Sequence, residues 1–209
     1  MSTPSSELPL TEQVQHSVDD RGIATITLNR PDVKNAISPD QRDRVITLLG
    51  DANADLGIRA VVLTHTGDAF CTGADLRASR PAAPRPDDAP KRGVGEVAAM
   101  IRDGAQQLVA AVLDCDKPVI AAVKGTAAGI GAHIALACDL VVATDDVRFI
   151  EVFVRRGLVP DGGGAYLLPR MVGVRRAKEL LYFGDDLSAT EAADPASARR
   201  PRPKSSALS

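Results

Sequence analysis

The sequence predicts an α/β protein with a largely parallel sheet. Short apolar runs, typical of buried strands, alternate along the chain with longer segments of helical periodicity. Between Lys117 and His133, an apolar run, a glycine-rich turn and the start of a helix follow one another. A helix-start signal, Ser38-Pro39-Asp40-Gln41, separates two other apolar runs. Strands that alternate with helices pair mainly in parallel, and this favours the α/β class.

Length and composition exclude several classes of function. The 209 residues fit one domain, for which about 100–200 residues is usual. The net charge of −2 and the 3% of aromatic residues do not favour a nucleic-acid partner. No apolar run reaches the roughly 18 residues of a membrane span, and the N-terminus lacks the pattern of a signal peptide. We therefore expect a cytoplasmic protein with reduced cysteines, no metal site and no nucleic-acid or membrane partner.

The first half of the chain predicts a hairpin, a helix and a further strand. Period-2 alternation indicates the two hairpin strands, and the capping box at Ser38 indicates the helix. Polar residues at the N-terminus are expected to be flexible. The expected elements are a flexible segment at 1–12, strands at 14–18 and 23–28 joined by a turn at 19–22, a helix from 38 to about 49, and a strand at 60–64.

The glycine turn after the apolar run 119–123 is the most informative stretch. Gly125, Gly129 and Gly131 interrupt the apolar pattern, which resumes as a helix from Ile134 to Ala137. Backbone N–H groups in such a turn point into a cleft without a Cβ in the way, and a helix start adds partial positive charge. We expect this turn to receive an oxygen that carries or develops negative charge.

The remaining chain predicts further alternation and then a tail. The expected elements are a proline-rich flexible loop at 79–93, a helix at 94–113, a strand at 140–143, a semi-extended segment at 149–154, a second glycine turn at 157–164, and helices at 164–171 and 174–183. Ser188 to Glu191 forms a second capping box. Residues 193–209 are basic and poor in apolar side chains, which predicts a disordered tail. It is either a basic contact segment or a chain that stops or changes frame inside a longer fold.

Four motifs in this order resemble the crotonase superfamily, also called the enoyl-CoA hydratase/isomerase family, over roughly residues 12–192. They are Asn29-Arg30-Pro31 with Lys34 to Ile37, Phe70 to Leu76, Lys117 to Ala121 through Gly131 with Cys138-Asp139-Leu140, and Gly157 to Asp161. The resemblance implies a spiral of ββα units, with the usual C-terminal helical region largely missing. It also implies an acyl-CoA-binding core at 13–192, an enzyme of fatty-acid or aromatic-acid CoA metabolism, and homotrimers, often paired into hexamers. No cofactor is implied, because CoA is part of the substrate.

The resemblance also implies a set of site residues. Two backbone N–H groups hold the thioester oxygen and stabilise an enolate; by position they belong to Thr72 and Ile130. Removing one such donor typically costs about 3–4 kcal/mol of transition-state stabilisation. The expected contacts to CoA and the acyl group are Lys34, Ala36, Thr72, Ala74, Asp75, Leu76, Gly129, Ile130, Phe153 and Pro160.

The proton-transfer residues depart from the hydratase pattern of this family. The two positions where the resemblance implies carboxylates hold His133 and Phe153, which makes ordinary water addition doubtful. Asp161 lies in a Pro-Asp-x-Gly-Gly pattern that resembles isomerases in which an acidic residue shuttles a proton. A carboxylate beside an apolar acyl chain has a raised pKa, as a base near neutrality requires. Asp161 equally suits a helix cap.

Several hypotheses therefore stay open. The first is an isomerase in which Asp161 moves the proton, with His133 as a donor, as an orienting group or as a structural residue. The second is a hydratase that uses Glu151, which shares strand parity with Phe153, or His133. The third is a non-catalytic relative that binds CoA esters. Cys71 adjoins the expected oxyanion donor, but the sequence pairs no base with it, so a nucleophile is not expected.

Overall fold

A computed structural model describes residues 4–77 and 94–193 of the chain. The strands are β1 Val14–Val18, β2 Ile23–Leu28, β3 Ala60–His65, β4 Val119–Val123, β5 Thr126–Ala128, β6 Leu140–Ala143, β7 Arg148–Ile150 and β8 Asp186–Ser188. The helices are α1 Leu10–Gln13, α2 Pro39–Ala54, α3 Val94–Ile101, α4 Gln107–Leu113, α5 Ile130–Ala137, α6 Gly164–Val172, α7 Val174–Phe183 and α8 Ala189–Ala193. A π-helical turn, Arg102–Gln106, joins α3 to α4, and 3₁₀ segments lie at Ser5–Glu7, Pro31–Val33 and Val152–Arg156.

The main sheet has the strand order β1-β2-β3-β4-β6. The hairpin pair β1 and β2 is antiparallel, and every other neighbouring pair is parallel. Ala24, Ile26 and Leu28 of β2 are buried and alternate with half-exposed residues, as the sequence pattern predicts. The predicted α/β class with mainly parallel pairing is confirmed.

A second sheet of three strands, in the order β5-β7-β8, lies beyond the glycine turn. The sequence pattern did not predict β5, because its residues fall between glycines. The chain leaves β4 and enters β5 through Gly125, whose φ is +66°. A Cβ there would lie 1.9 Å from the carbonyl oxygen of Asp68, so only glycine allows this change of sheet.

The hydrophobic core lies between the main sheet and helices α2, α4 and α5. One cluster of buried apolar side chains joins these elements and includes Ile26, Leu49, Leu108, Val119 and Ile134. A smaller cluster joins Leu168 of α6, Ala177 and Leu180 of α7, and Leu187 of β8. Within the described residues, no helix combines the length and the hydropathy that a membrane crossing requires.

Both predicted capping boxes are confirmed. Ser38 accepts the N–H of Gln41 at 3.3 Å, and the Gln41 side chain accepts the N–H of Ser38 at 2.9 Å. Ser188 accepts the N–H of Glu191 at 3.3 Å, and the Glu191 carboxylate accepts the N–H of Ser188 at 3.1 Å. Such caps satisfy N–H groups that the first helical turn leaves without acceptors, each contributing about 1 kcal/mol.

The structure corrects three element bounds. Helix α2 extends to Ala54, beyond the expected end near residue 49, because Ala52 in its last turn is buried. Helix α5 begins at Ile130 and not at Ile134, so the last glycine of the turn is helical. The segment expected to be semi-extended at 149–154 leaves β7 and tightens into a 3₁₀ turn.

The expected domain bounds concern three segments: the N-terminus, the proline-rich loop and the C-terminal tail. Within the segment expected to be flexible at 1–12, the backbone N–H of Ser5 donates to the Asp32 carboxylate at 3.1 Å and the Ser5 side chain contacts the same group. The flexibility of that segment stays a prediction. The loop expected at 79–93 lies outside the described residues. The tail expected at 193–209 lies outside them too, except for Ala193.

Candidate active site

The loops of the first and second sequence motifs pair with each other through their main chains. We call this paired backbone, residues 34–37 and 72–76, the ledge. Ile37 donates its N–H to the carbonyl of Gly73 at 2.9 Å, and Asp75 donates to the carbonyl of Ile37 at 2.9 Å. This pairing brings together the groove residues expected from the sequence, namely Lys34, Ala36, Thr72, Ala74, Asp75 and Leu76. Lys34, Ala74 and Leu76 are exposed on it.

The ledge touches the third motif, main chain to main chain, at Cys71. Cys71 donates its N–H to the carbonyl of Thr126 at 3.2 Å and accepts the N–H of Ala128 at 2.9 Å. A Cβ at Gly131 would lie 2.2 Å from the Cys71 carbonyl oxygen, so this approach requires glycine. The two loops that were expected to supply the oxyanion donors therefore lie in direct contact.

The backbone N–H groups of these loops differ in whether they already have a hydrogen-bond acceptor. Ile130 is the first residue of α5, so its N–H has no acceptor inside the helix. The N–H of Thr72, by contrast, donates to the carbonyl of Lys34 at 3.2 Å, and the expected donor role of Thr72 is corrected because this amide is already paired. Among the described residues, the amides of Gly73 and Ala74 have no hydrogen-bond acceptor, and Ala74 is the exposed one.

The Asp75 side chain stabilises the ledge through a buried ion pair with Arg30. Its carboxylate lies 2.8 Å from the Arg30 guanidinium, and the two side chains are only 8% and 6% exposed. The same Arg30 nitrogen donates to the carbonyl of Ala36 at 3.2 Å and to the Gln41 side chain at 3.1 Å. The Asp75 carboxylate also accepts the N–H of Arg77. The carboxylate of Asp75 is thus engaged in the ion pair, and the expectation that Asp75 lines the CoA groove stays a prediction.

His133 and Glu151 form a buried pair that the sequence pattern did not predict. The Nε2 atom of His133 lies 3.0 Å from an oxygen of Glu151, and the side chains are 0% and 6% exposed. The ring of Phe153 stacks on the imidazole at 5.2 Å between centroids and 8° between planes. Strand parity suggested Glu151 as a substitute for Phe153, and in the structure both side chains contact His133, Glu151 just before the 3₁₀ turn and Phe153 inside it.

The second glycine turn closes against the imidazole of His133. A Cβ at Gly164 would lie 2.1 Å from Nε2, and a Cβ at Gly162 would lie 3.3 Å from Nδ1. Gly162 and Gly163 have φ values of +50° and +84°, which L side chains rarely adopt. The glycines after Asp161 thus make room for the ring, and Nδ1, buried against Gly162, has no partner among the described residues.

Asp161 lies at the start of that turn and is half-buried. Burial raises the pKa of its carboxyl group, the nearby His133 imidazole opposes the rise, and Glu151 adds to it. Helix α6 has Gly163 as its N-cap, and within the described residues no backbone N–H of α6 donates to the Asp161 carboxylate. The helix-cap alternative for Asp161 is therefore wrong. Pro160, its neighbour, is partly exposed.

The two buried cysteines near the site, Cys71 and Cys138, are poor nucleophiles. Burial raises the pKa of the Cys71 thiol to about 11 and that of Cys138 to about 12. At neutral pH both remain thiols, which are weak nucleophiles. This agrees with the expectation that Cys71 is not a nucleophile.

A cavity of about 680 Å³ lies beside this site but is separate from it. Its lining includes Leu136, Leu168, Leu180 and Arg176, and it reaches Glu151 at one end. None of the loop residues that carry the free amides lines it, and neither does Asp161. The cavity is therefore not the place where the loop amides and Asp161 meet a ligand.

Comparisons with known proteins identify the family of this chain. A sequence model described as enoyl-CoA hydratase/isomerase matches residues 19–195. The chain belongs to the enoyl-CoA hydratase/isomerase family. The crotonase resemblance and the crotonase fold expected from the motifs are confirmed.

Individual members of the enoyl-CoA hydratase/isomerase family show the extent of the likeness. The chain is 40% identical over 172 residues to a protein of Rhodobacter capsulatus named probable enoyl-CoA hydratase, covering 82% of this chain and 62% of that protein. It is 37% identical over 175 residues to the 1,2-epoxyphenylacetyl-CoA isomerase of Escherichia coli, covering 83% and 63%. The solved structure of an enoyl-CoA hydratase/isomerase from Cupriavidus metallidurans matches with a TM-score of 0.76 and 34% identity, covering 87% and 64%. The chain thus spans somewhat less than two thirds of the length of these family members.

Proposed function

We propose that this protein isomerises the double bond of an enoyl-CoA thioester and that Asp161 moves the proton. The observation that carries the proposal is the placement of Asp161, a half-buried carboxylate with a raised pKa. It adjoins Gly162, where an added Cβ would lie 2.5 Å from the Ile130 side chain. A base with a raised pKa accepts a proton from carbon more readily and still ionises near neutrality. The proposed enoyl-CoA substrate class is supported by membership in the enoyl-CoA hydratase/isomerase family.

The thioester oxygen is proposed to bind two backbone amides, those of Ile130 and Ala74. Ile130 contributes the N–H of a helix start, and Ala74 replaces Thr72 because its amide is exposed and has no acceptor among the described residues. Two such donors stabilise the negative charge that develops on the oxygen when a proton leaves the α carbon. The exposed Lys34 and Leu76 on the same ledge are proposed to contact the CoA group.

The proposed reaction conserves every atom of the substrate. Asp161 removes a proton from the α carbon of a 3-enoyl thioester, and the electron pair delocalises into the thioester as a dienolate. The double bond then forms between the α and β carbons, and Asp161 returns the same proton to the γ carbon. One carboxylate suffices, because it is regenerated at the end of each cycle.

Hydration is the second candidate, and the buried pair of His133 and Glu151 is the observation that favours it. The relative named probable enoyl-CoA hydratase is 40% identical, and an imidazole bonded to a carboxylate is able to activate water. Against hydration, the position of the second implied carboxylate holds Phe153, whose ring covers one face of the imidazole. Isomerisation needs neither His133 nor Glu151 to contact water.

A non-catalytic CoA-ester binder is the candidate from another class. It is motivated by the two positions where carboxylates are implied and the chain holds His133 and Phe153. This candidate predicts acyl-CoA binding in calorimetry without turnover of any enoyl substrate.

Steady-state assays with the purified protein distinguish these three functions. The double-bond shift of a 3-enoyl-CoA is followed by the ultraviolet absorbance gained on conjugation, and hydration of crotonyl-CoA by the absorbance lost. We expect isomerisation, and we expect Asp161→Asn to lower kcat by about 10²–10⁴-fold. Asp20→Asn, at an exposed position of the β1–β2 turn, is the matched control. Equal isomerase activity in Asp161→Asn would remove Asp161 from the mechanism.

Self-association is the proposed quaternary arrangement, as a trimer or a pair of trimers. The support is strand β6, an edge of the main sheet on which Leu140, Val141 and Val142 are all exposed. Exposed apolar rows on an edge strand are typical of surfaces that are covered in an assembly. Light scattering after size exclusion measures the mass, and Val142→Lys is expected to shift it towards the monomer. A monomeric wild-type protein at micromolar concentration would contradict the proposal.

A further inference from the structure

Three contacts fix the orientation of the His133 ring, two of them at Nε2. Phe153 stacks on one face of the ring, Gly164 closes against Nε2, and Glu151 bonds the same nitrogen at 3.0 Å. The imidazole is fully buried, so water does not compete for either nitrogen. The ring therefore has little freedom to rotate or flip.

The bond to Glu151 determines where the imidazole proton lies. With Glu151 as an ionised carboxylate, which only accepts hydrogen bonds, Nε2 of His133 is the donor in this contact and carries the proton. A neutral imidazole with a proton on Nε2 carries its lone pair on Nδ1. That Nδ1 atom is buried, has no partner among the described residues, and faces Gly162, the residue next to Asp161.

We propose that Glu151 is a positioning residue that acts through His133 on Asp161. Glu151 holds the imidazole as the Nε2–H tautomer, and the Nδ1 lone pair then accepts a hydrogen bond from Asp161 when Asp161 carries the substrate's proton. This contact supplies the donor that Nδ1 lacks in the resting site, and it keeps the protonated Asp161 oriented between the α and γ carbons. The inference rests on the proposed isomerase function of Asp161.

The negative charge of Glu151 gives the inference a second consequence. Among the described residues, Glu151 adds to the rise of the Asp161 pKa, and His133 opposes that rise only when its imidazole is positively charged. Glu151→Gln keeps a hydrogen-bond acceptor for Nε2 but removes the negative charge. The pKa of Asp161 should then fall, while the shape of the site is preserved.

Nuclear magnetic resonance tests the positioning without any need for turnover. Nitrogen shifts of the imidazoles, assigned with His133→Gln, should show the Nε2–H tautomer in the wild-type protein and a mixture of tautomers in Glu151→Ala. Carbon-detected titration of the Asp161 carboxyl group, assigned with Asp161→Asn, should move to lower pH in Glu151→Gln. The exposed Glu12→Gln is the matched control and should leave both signals unchanged. A proton on Nδ1, or an Asp161 titration that Glu151→Gln does not move, would overturn the inference.

Kinetics separate a positioning role from a catalytic or a merely structural one. In Glu151→Gln we expect kcat for the 3-enoyl-CoA to fall about 10- to 100-fold, the range typical of groups that orient a functional imidazole. The acidic limb of the pH–rate profile should move to lower pH, and KM should change little. A loss of about 10²–10⁴-fold at every pH without a moved limb would instead make Glu151 the proton-transfer group, against the inference. If the wild-type protein turns over no enoyl thioester, the proposed function fails, and the resonance experiment still decides the Glu151–His133–Asp161 relationship.

Discussion

Gly164 lies so close to His133 that a Cβ at position 164 would come within 2.1 Å of Nε2. The same nitrogen bonds Glu151 at 3.0 Å, so the space around it is filled by one carboxylate and one Cα. The glycine turn is therefore part of the imidazole site, and its role is to admit a ring where any side chain would collide with it.

Gly164→Ala is expected to lower the free energy of unfolding by about 1–3 kcal/mol, because an added Cβ displaces a packed ring. Gly50→Ala is the control: Gly50 lies in α2 with nothing within 4 Å of its added Cβ, and alanine should stabilise that helix by up to about 1 kcal/mol. Denaturant unfolding of both variants measures the contrast. Equal stability of Gly164→Ala and the wild type would contradict the close packing.

Asp161→Asn is expected to change the pH dependence of stability. Burial raises the pKa of Asp161 above its ordinary value of 3.8, so the folded state binds this proton more tightly than the unfolded chain. Stability is therefore lost as pH rises from the ordinary pKa through the raised one. The asparagine variant should be more stable than the wild type at neutral pH, and the difference should vanish in acid. Chemical denaturation over a pH series checks this, and a pH-independent difference would argue against a raised pKa.

Asp75→Ala is expected to lower the free energy of unfolding by about 3–5 kcal/mol, because it leaves Arg30 buried without its carboxylate. The double variant Arg30→Met with Asp75→Leu should recover part of this loss, since it removes both charges. Asp51→Ala on the exposed side of α2 is the control and should cost little. Thermal or denaturant unfolding gives the values. If Asp75→Ala weakened CoA binding but not stability, the structural role of the ion pair would be refuted.

Ile130→Pro is expected to lower kcat by about 10²–10³-fold, because proline removes the N–H proposed to bind the thioester oxygen. Proline is tolerated at the first position of a helix, where the missing N–H breaks no helical bond. Ile130→Val keeps the amide and serves as the control for the altered side chain. Circular dichroism verifies folding in both. Near wild-type turnover in a folded Ile130→Pro protein would exclude this amide from the mechanism.

Much of the fold could be predicted from the sequence, because its signals are local. The hairpin at 14–28 and the box at Ser38 depend on neighbours within a few residues, and both appear as expected. The start of α5 was placed one turn late, because Gly129 and Gly131 suggested a turn. Gly131 is instead helical and is required by a carbonyl from another motif, that of Cys71. Such a distant contact leaves no local pattern.

The candidate site was predicted only in part for the same reason. The motifs identified the loops, and the structure brings those loops together. The assignment of Thr72 as a donor failed, because the carbonyl that occupies its amide belongs to Lys34, far away in the sequence. The Glu151–His133 bond joins residues 18 positions apart in the sequence. Glu151 lies just before a 3₁₀ turn, Val152–Arg156, which the local pattern of apolar and charged residues did not predict.

The contact between Gly131 and the Cys71 carbonyl has an evolutionary consequence. No side chain fits at position 131, so natural selection should retain glycine there whatever reaction a descendant performs. Position 130 next to it is expected to vary only among apolar residues, because its side chain is buried in the core while the proposed chemistry uses only its backbone. In this fold the invariant glycine would then mark packing, and the amide at the reacting oxygen would belong to a residue of changeable identity.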